Sequence, residues 1–263
     1  MLKSSRKKMI AIGCSYTGDW NSFSSWPNHL AEKLGMKYIN LGLNGAGNEY
    51  MLSKLLDTTV IEKKEDIGLV VIMWSEWQRL DFQFRRGAET DCIFGNTGWI
   101  NLHPHRDNSK NQRYPINREG RIALLEHNNI ISATMRSLRF FLMAQKLLGD
   151  IPYLMIQGCN PLIAPLFLYP ENEEGIWKRF TKIRKRAINI IIDSSITEEI
   201  NEKKFIGWPI MQEIGGYSVD DILDNIDPER KQLRISEEDT HPNGEGHKVI
   251  AKEIYNEYKK IYT

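Results

Sequence analysis

Apolar positions along this chain follow two alternating rhythms. Lys8–Ile12 is a short apolar run behind a basic stretch, the pattern of a buried strand. Trp26–Leu34 spaces its apolar residues as a helix does and meets a stop at Gly35. The pair then repeats, with Lys37–Leu41 predicting a strand and Asn48–Val60 a helix. Ile67–Met73 (IGLVVIM) is apolar throughout, as a central parallel strand covered on both faces should be. Arg121–Leu148 predicts a long helix interrupted near Asn128 and Asn129, Ile151–Gln157 a strand, and Asn243–Tyr262 a closing amphipathic helix. Repeated β-α units joined by short turns imply a right-handed, doubly wound parallel sheet between helices.

Two stretches break this rhythm, 76–120 and 160–238, and both read as insertions on a single domain spanning 1–263. The first is polar, aromatic and irregular, and a loop of that length is usually functional. Its Trp77, Arg79, Phe82, Phe84, Arg85, Arg86, Trp99, Arg113 and Tyr114 suit either a sugar-stacking lid or the insertion's own small core. The second carries KRFTKIRKR at 178–186, whose spacing predicts a solvated helix with Phe180 and Ile183 inward. Binding of an anionic polymer is the alternative there.

Composition narrows the partners. The 263 residues carry 35 Lys+Arg against 34 Asp+Glu, a net charge of +1, so nothing general points to nucleic acid or an anionic membrane. No apolar run approaches a membrane span. The basic residues Arg6, Lys7 and Lys8 ahead of Met9–Ile12 and Cys14 resemble a lipoprotein signal, but a signal needs an apolar region of roughly 7–15 residues. Cys14, Cys92 and Cys159 show no paired spacing, which predicts reduced thiols and a cytoplasmic location by default. His103 and His105 lack a third ligand at recognisable spacing, so a solvated loop is expected and no metal.

In an open parallel sheet, ligands bind beyond the carboxyl ends of the strands. Four segments fall there: Gly13, Cys14 and Ser15 after the first strand; Asn40–Asn48 (NLGLNGAGN) with Gly45 after the second; Trp74-Ser75-Glu76-Trp77 after the third; and EEDTHPNGEGH at 237–247 before the last helix. Together they supply a nucleophile, backbone donors, a base and an orienting acid, the parts that acyl transfer needs. Chemistry alone favours Cys14 over Ser15, because a thiol is the better nucleophile. His247 is expected to pack or cap within the last helix.

These blocks resemble the SGNH (GDSL-type) hydrolases and acyltransferases, with wording closest to phage and polysaccharide-cluster members. GCSYT (13–17) is similar to that family's first block, Asn40, Gly42 and Gly45 to its second, and Asp239-Thr-His241-Pro242 to its last. The resemblance implies a three-layer α/β/α fold of flavodoxin-like type with two insertions, and Ser15 as the nucleophile. It implies His241 as base and Asp239 as orienting acid, with Glu238 as the alternative. The oxyanion would rest on the N–H groups of Ser15 and Gly45, with Asn44 or Asn48 as further candidates. Glu76 stands where the family offers an Asn amide, and an ionised carboxylate accepts hydrogen bonds but donates none. Trp74, Glu76, Trp77 and Arg79 are the expected substrate contacts. The implied activity is that of a serine esterase or O-acyltransferase on an acylated small molecule or glycan, including O-acetyl polysaccharide, with no cofactor. The alternative is a catalytically weak glycan-binding or viral structural module, located in the virion if the chain is phage-encoded.

Overall fold

The computed structural model describes residues 7–19, 21–85, 97–103, 119–120, 123–124, 128–163 and 173–263. Five strands form one wholly parallel sheet: β1 (Lys8–Gly13), β2 (Lys37–Gly42), β3 (Ile67–Trp74), a fourth at Tyr153–Gln157 and a fifth at Phe205–Ile206. Between the third and fourth of these lies a separate antiparallel pair, so in chain order the strands are β4 (Leu80–Arg85), β5 (Thr97–Leu102), β6 (Tyr153–Gln157) and β7 (Phe205–Ile206). The main sheet runs β2-β1-β3-β6-β7, the doubly wound order whose reversal beside β1 opens a crevice at the strands' carboxyl ends. Every residue of β3 is buried, and so is β1 after its first residue, as their unbroken apolar runs require.

The helices are α1 (Trp26–Leu34), α2 (Asn48–Ile61), α3 (Ile130–Leu148), α4 (Glu173–Asp193), α5 (Ser195–Glu198), α6 (Val219–Ile226) and α7 (Gly244–Tyr262). α1 packs against α7, while α2, α3 and α4 pack in succession, so right-handed crossovers leave a helical layer on each face of the sheet. Gly35 closes α1 in the left-handed conformation, with its N–H on Glu32 and that of Met36 on Ala31.

The interruption predicted near Asn128 and Asn129 is observed: residues 123–124 are helical, and α3 starts anew at Ile130, where the Asn129 side chain accepts from Ser132 N–H. Two expectations change. The first irregular stretch contains the β4–β5 hairpin, in which Leu80 pairs with Leu102 and Arg85 with Thr97. The second supplies the sheet's edge strand β7, and buries Ala187, Ile191, Phe205, Val219 and Leu223 in the common core. Phe180 is buried and Ile183 packs on the core, as the helical spacing predicts. Arg86, Cys92, His105, Arg113 and Tyr114 lie outside the described residues. No described helix is long and apolar enough to cross a membrane.

Candidate active site

β1 ends at Gly13, and the chain turns at once: Thr17 and Gly18 both donate to the Cys14 carbonyl. β2 clamps this turn from the side. Asn40 Nδ2 donates to Thr17 O at 2.8 Å, Leu43 N–H to Gly13 O at 3.1 Å, and Gly42 leaves no room for a side chain. A Cβ on Gly42 would stand 2.4 Å from the Gly18 nitrogen. Ser15, at the apex, is held where its hydroxyl faces the crevice.

His241 arrives from the opposite end of the chain. The strand-like segment before α7 folds back on itself, with Ile235 N–H on His241 O, Ser236 N–H on Asp239 O and Asn243 N–H on Leu233 O. Asn243 then caps α7 by accepting from Glu245 and Gly246 N–H. Buried Arg234 locks this loop from beneath: its guanidinium donates to Asp220 at 2.9 Å, Asp224 at 2.8 Å and the Thr240 carbonyl at 2.8 Å. Tyr16 donates to the same Asp220 at 2.8 Å and sets its ring edge-on to the His241 imidazole, 5.3 Å between centroids. Burial raises the Asp220 carboxyl, against the pull of Arg234 and the Tyr16 hydroxyl.

The outcome is a continuous chain of contacts. His241 Nε2 lies 2.8 Å from Ser15 Oγ, and His241 Nδ1 lies 2.5 Å from Asp239 Oδ1, which also accepts from the His241 backbone N–H. A hydroxyl on one imidazole nitrogen and a carboxylate on the other is the arrangement that general-base activation of a nucleophile requires. Glu238 lines the same crevice but is exposed, and Asp239 is the acid on Nδ1.

Cys14 and Cys159 also border the crevice, but Cys14 is buried and it is Ser15 Oγ that lies against His241. The Cys14 thiol takes a hydrogen bond from Cys159, which with nearby Arg79 draws its pKa down despite burial. The Cys159 thiol, donating that bond and itself buried, is pushed well up.

The crevice encloses about 540 Å³, and its lining includes Ser15, His241, Asn44, Gly45, Glu76, Arg79, His103 and Ile163. Glu76 and Arg79 meet as a buried ion pair at 2.6 Å, and Arg79 also donates to Ala46 O at 3.0 Å. Burial works against the guanidinium's charge, yet the Glu76 carboxylate together with Cys159 and Cys14 outweighs it and raises the Arg79 pKa. Glu76 thus lines the crevice paired with a cation, which offsets the repulsion expected of a bare carboxylate.

Several expected contacts fall elsewhere. Trp74 and Trp77 are core residues at 0% and 1% exposure, both packed on Phe141 of α3, with Trp77 Nε1 donating to Gln157. They turn inward because the 74–79 segment is fastened on every side: Trp77 N–H to Pro161 O, Asn128 to Gln78 O, and Arg136 to the Trp77 and Arg79 carbonyls. Asn48 is also committed, accepting from Ser75 N–H and donating to Ser137 Oγ. Asn44 is exposed at the rim. His103, read as part of a solvated loop, is instead 5% exposed and lines the crevice, because the hairpin folds its end onto the Gly45 turn. Trp99 packs edge-on against Tyr50 and so fastens the hairpin to the common core. His247 is buried and accepts from Trp26 N–H at 3.2 Å, a packing and capping role.

Arg234, Asp220 and Asp81 were not singled out by sequence. The alternation of LDFQFR at 80–85 is the one local signal that predicts the hairpin carrying Asp81.

No family model matches the chain, and no curated protein matches it. Among solved structures it is similar to a member of the lipolytic protein G-D-S-L family from Veillonella parvula DSM 2008, at 11% identity and a TM-score of 0.45 over 97% of this chain and 98% of that one. It is similar to the lipase Lip_vut3 from a goat rumen metagenome, at 13% identity and a TM-score of 0.44 over 95% and 97%. It is similar also to AlinE4, an SGNH-hydrolase family esterase, at 10% identity and a TM-score of 0.33 over 75% and 84%.

Proposed function

We propose that this chain is a serine ester hydrolase or acyltransferase of SGNH type, acting on a short acyl ester carried by a polar molecule such as a glycan. The observation that carries the reading is the Ser15–His241–Asp239 chain, with 2.8 Å and 2.5 Å links at the mouth of one crevice.

Ser15 Oγ attacks the ester carbonyl while His241 Nε2 takes its proton. Asp239 holds Nδ1–H and stabilises the imidazolium that forms. The Ser15 and Gly45 N–H groups receive the developing oxyanion. His241 then returns the proton to the departing alcohol, leaving an acyl-Ser15 ester. Water, or an acceptor hydroxyl deprotonated by the same imidazole, releases the acyl group. Hydrolysis and transfer differ only in which acceptor reaches that intermediate.

Substrate polarity is argued from the lining. Among the described residues, Asn44, Glu76, Arg79, His103, Asn160, Asp220 and Glu238 surround the nucleophile, and Ile163 is the one aliphatic hydrocarbon side chain in the lining. That described lining offers a long acyl chain little apolar surface to bury against, and at about 25 cal/mol per Å² such surface is what binds lipid. The test is a chain-length series of nitrophenyl esters beside acetylated oligosaccharides. Preference for acetyl over octanoyl, with release of acetate from the sugars and loss in Ser15→Ala, supports the reading. Saturable sugar binding without turnover, unchanged in Ser15→Ala, would replace it with a binding module.

A further inference from the structure

We propose that His103 is a third oxyanion donor, delivered to the crevice by the β4–β5 hairpin; this rests on the ester-hydrolase reading above. Gly45 turns at φ +79°, and a Cβ built on it would lie 2.8 Å from His103 Nε2. The imidazole therefore fills the space where a side chain at 45 would stand, beside the backbone N–H assigned to the oxyanion. His103, Gly45 and Ser15 line the same crevice, so a carbonyl oxygen bound at the Gly45 turn would come within reach of the imidazole.

The placement is built rather than incidental. Asp81 of β4 is buried, and its carboxylate accepts from Gly47 N–H at 2.8 Å, Tyr50 N–H at 2.9 Å and Asn101 Nδ2 at 2.5 Å. One acid thus caps the amino terminus of α2 and ties both hairpin strands to the turn that holds Gly45. Asn101 stands two residues before His103, so the same clamp fixes where His103 enters the crevice. Burial raises the Asp81 carboxyl, and these three donors oppose the rise.

Arg79 donates to Glu76 and Ala46 O, Asn48 is committed to Ser75 and Ser137, and Asn44 is solvated at the rim. Oxyanion stabilisation depends on donors already fixed before charge develops, because they then need no reorganisation. His103 is buried and follows directly on the clamped hairpin strand, whereas Asn44 is exposed. With Nε2 protonated, His103 donates a hydrogen bond that strengthens as the carbonyl oxygen becomes anionic, and no proton is transferred.

The experiment compares wild type, His103→Ala, His103→Gln and His103→Phe on nitrophenyl acetate, with kcat and KM resolved and thermal melts recorded. A kcat loss of about 10²–10³ in Ala and Phe, with KM within threefold and partial recovery in Gln, is the expected result. Folded Ala and Phe variants that keep kcat within threefold, or lose only KM, overturn the proposal. If only Gln folds, a kcat above one tenth of wild type supports a donor role, and a kcat equal to an unfolded control overturns it. An organophosphonate adduct on Ser15 of the wild type is measured in parallel. Its presence with unaffected His103 variants sinks this inference alone, whereas its absence without turnover sinks the ester-hydrolase reading with it.

Discussion

His247 makes a sharp prediction about acid stability. It is 2% exposed in α7, accepts from Trp26 N–H, and burial pushes its pKa from the ordinary 6.5 down to about 4, with His29 and His241 adding to the effect and Asp19 opposing it. The unfolded chain therefore binds a proton near pH 6.5 and the folded chain only near 4. Between those values the unfolded state holds more protons, so stability is full above 6.5 and falls as the pH drops toward 4. At 1.36 kcal/mol per pH unit, that gap is worth about 3 kcal/mol, of which roughly 2 is gone by pH 5. His247→Asn keeps an acceptor near the Nδ1 position but cannot titrate. It should cost about 1–3 kcal/mol at pH 8, where the ring's packing is lost. The two proteins are compared by urea unfolding, followed by tryptophan fluorescence, at pH 8, 6.5 and 5. The wild type should lose about 2 kcal/mol more than the variant between pH 8 and 5. Parallel pH profiles would refute the reasoning, because they would mean that His247 is charged at no cost inside the fold.

Arg234→Met should destabilise by about 3–5 kcal/mol by stranding Asp220 and Asp224, and should lower kcat in the folded fraction by releasing the Thr240 carbonyl beside His241; melting curves and active-site titration check both. Glu76→Gln should lower the urea midpoint by leaving the buried Arg79 cation without its partner, and should not raise kcat, since the wild-type carboxylate is already paired with a cation. Gly42→Ala should cost about 1–3 kcal/mol and slow phosphonate labelling at least tenfold, because its Cβ pushes on the Gly18 nitrogen and with it the turn that carries Ser15.

The alternation of apolar strands and amphipathic helices was readable because a parallel sheet buries both faces, and IGLVVIM has no other use for its side chains. The candidate site was legible in short blocks, Ser15 and Gly45 in the turns after the first two strands and Asp239 and His241 just before the last helix, each carried by its resemblance to a known motif. What stayed hidden depended on contacts between distant segments. Trp74 and Trp77 look like ligand-facing aromatics until Phe141, some 64 residues beyond Trp77 in sequence, covers them. Asp81 reads as a polar loop residue, yet it serves as the cap of a helix that begins 33 residues earlier. β7 is two residues long and has no period to detect. Arg234 stands in an ordinary polar stretch, and only the folded chain brings Asp220, Asp224 and Thr240 to it.

The central claim is that Ser15, and not the adjacent Cys14, carries the acyl group. Intact-mass spectrometry after incubation with a nitrophenyl ester, and separately with an organophosphonate, tests it on wild type, Ser15→Ala and Cys14→Ala. The account predicts a single adduct on wild type and Cys14→Ala that disappears in Ser15→Ala. An adduct that persists in Ser15→Ala and vanishes in Cys14→Ala would contradict it.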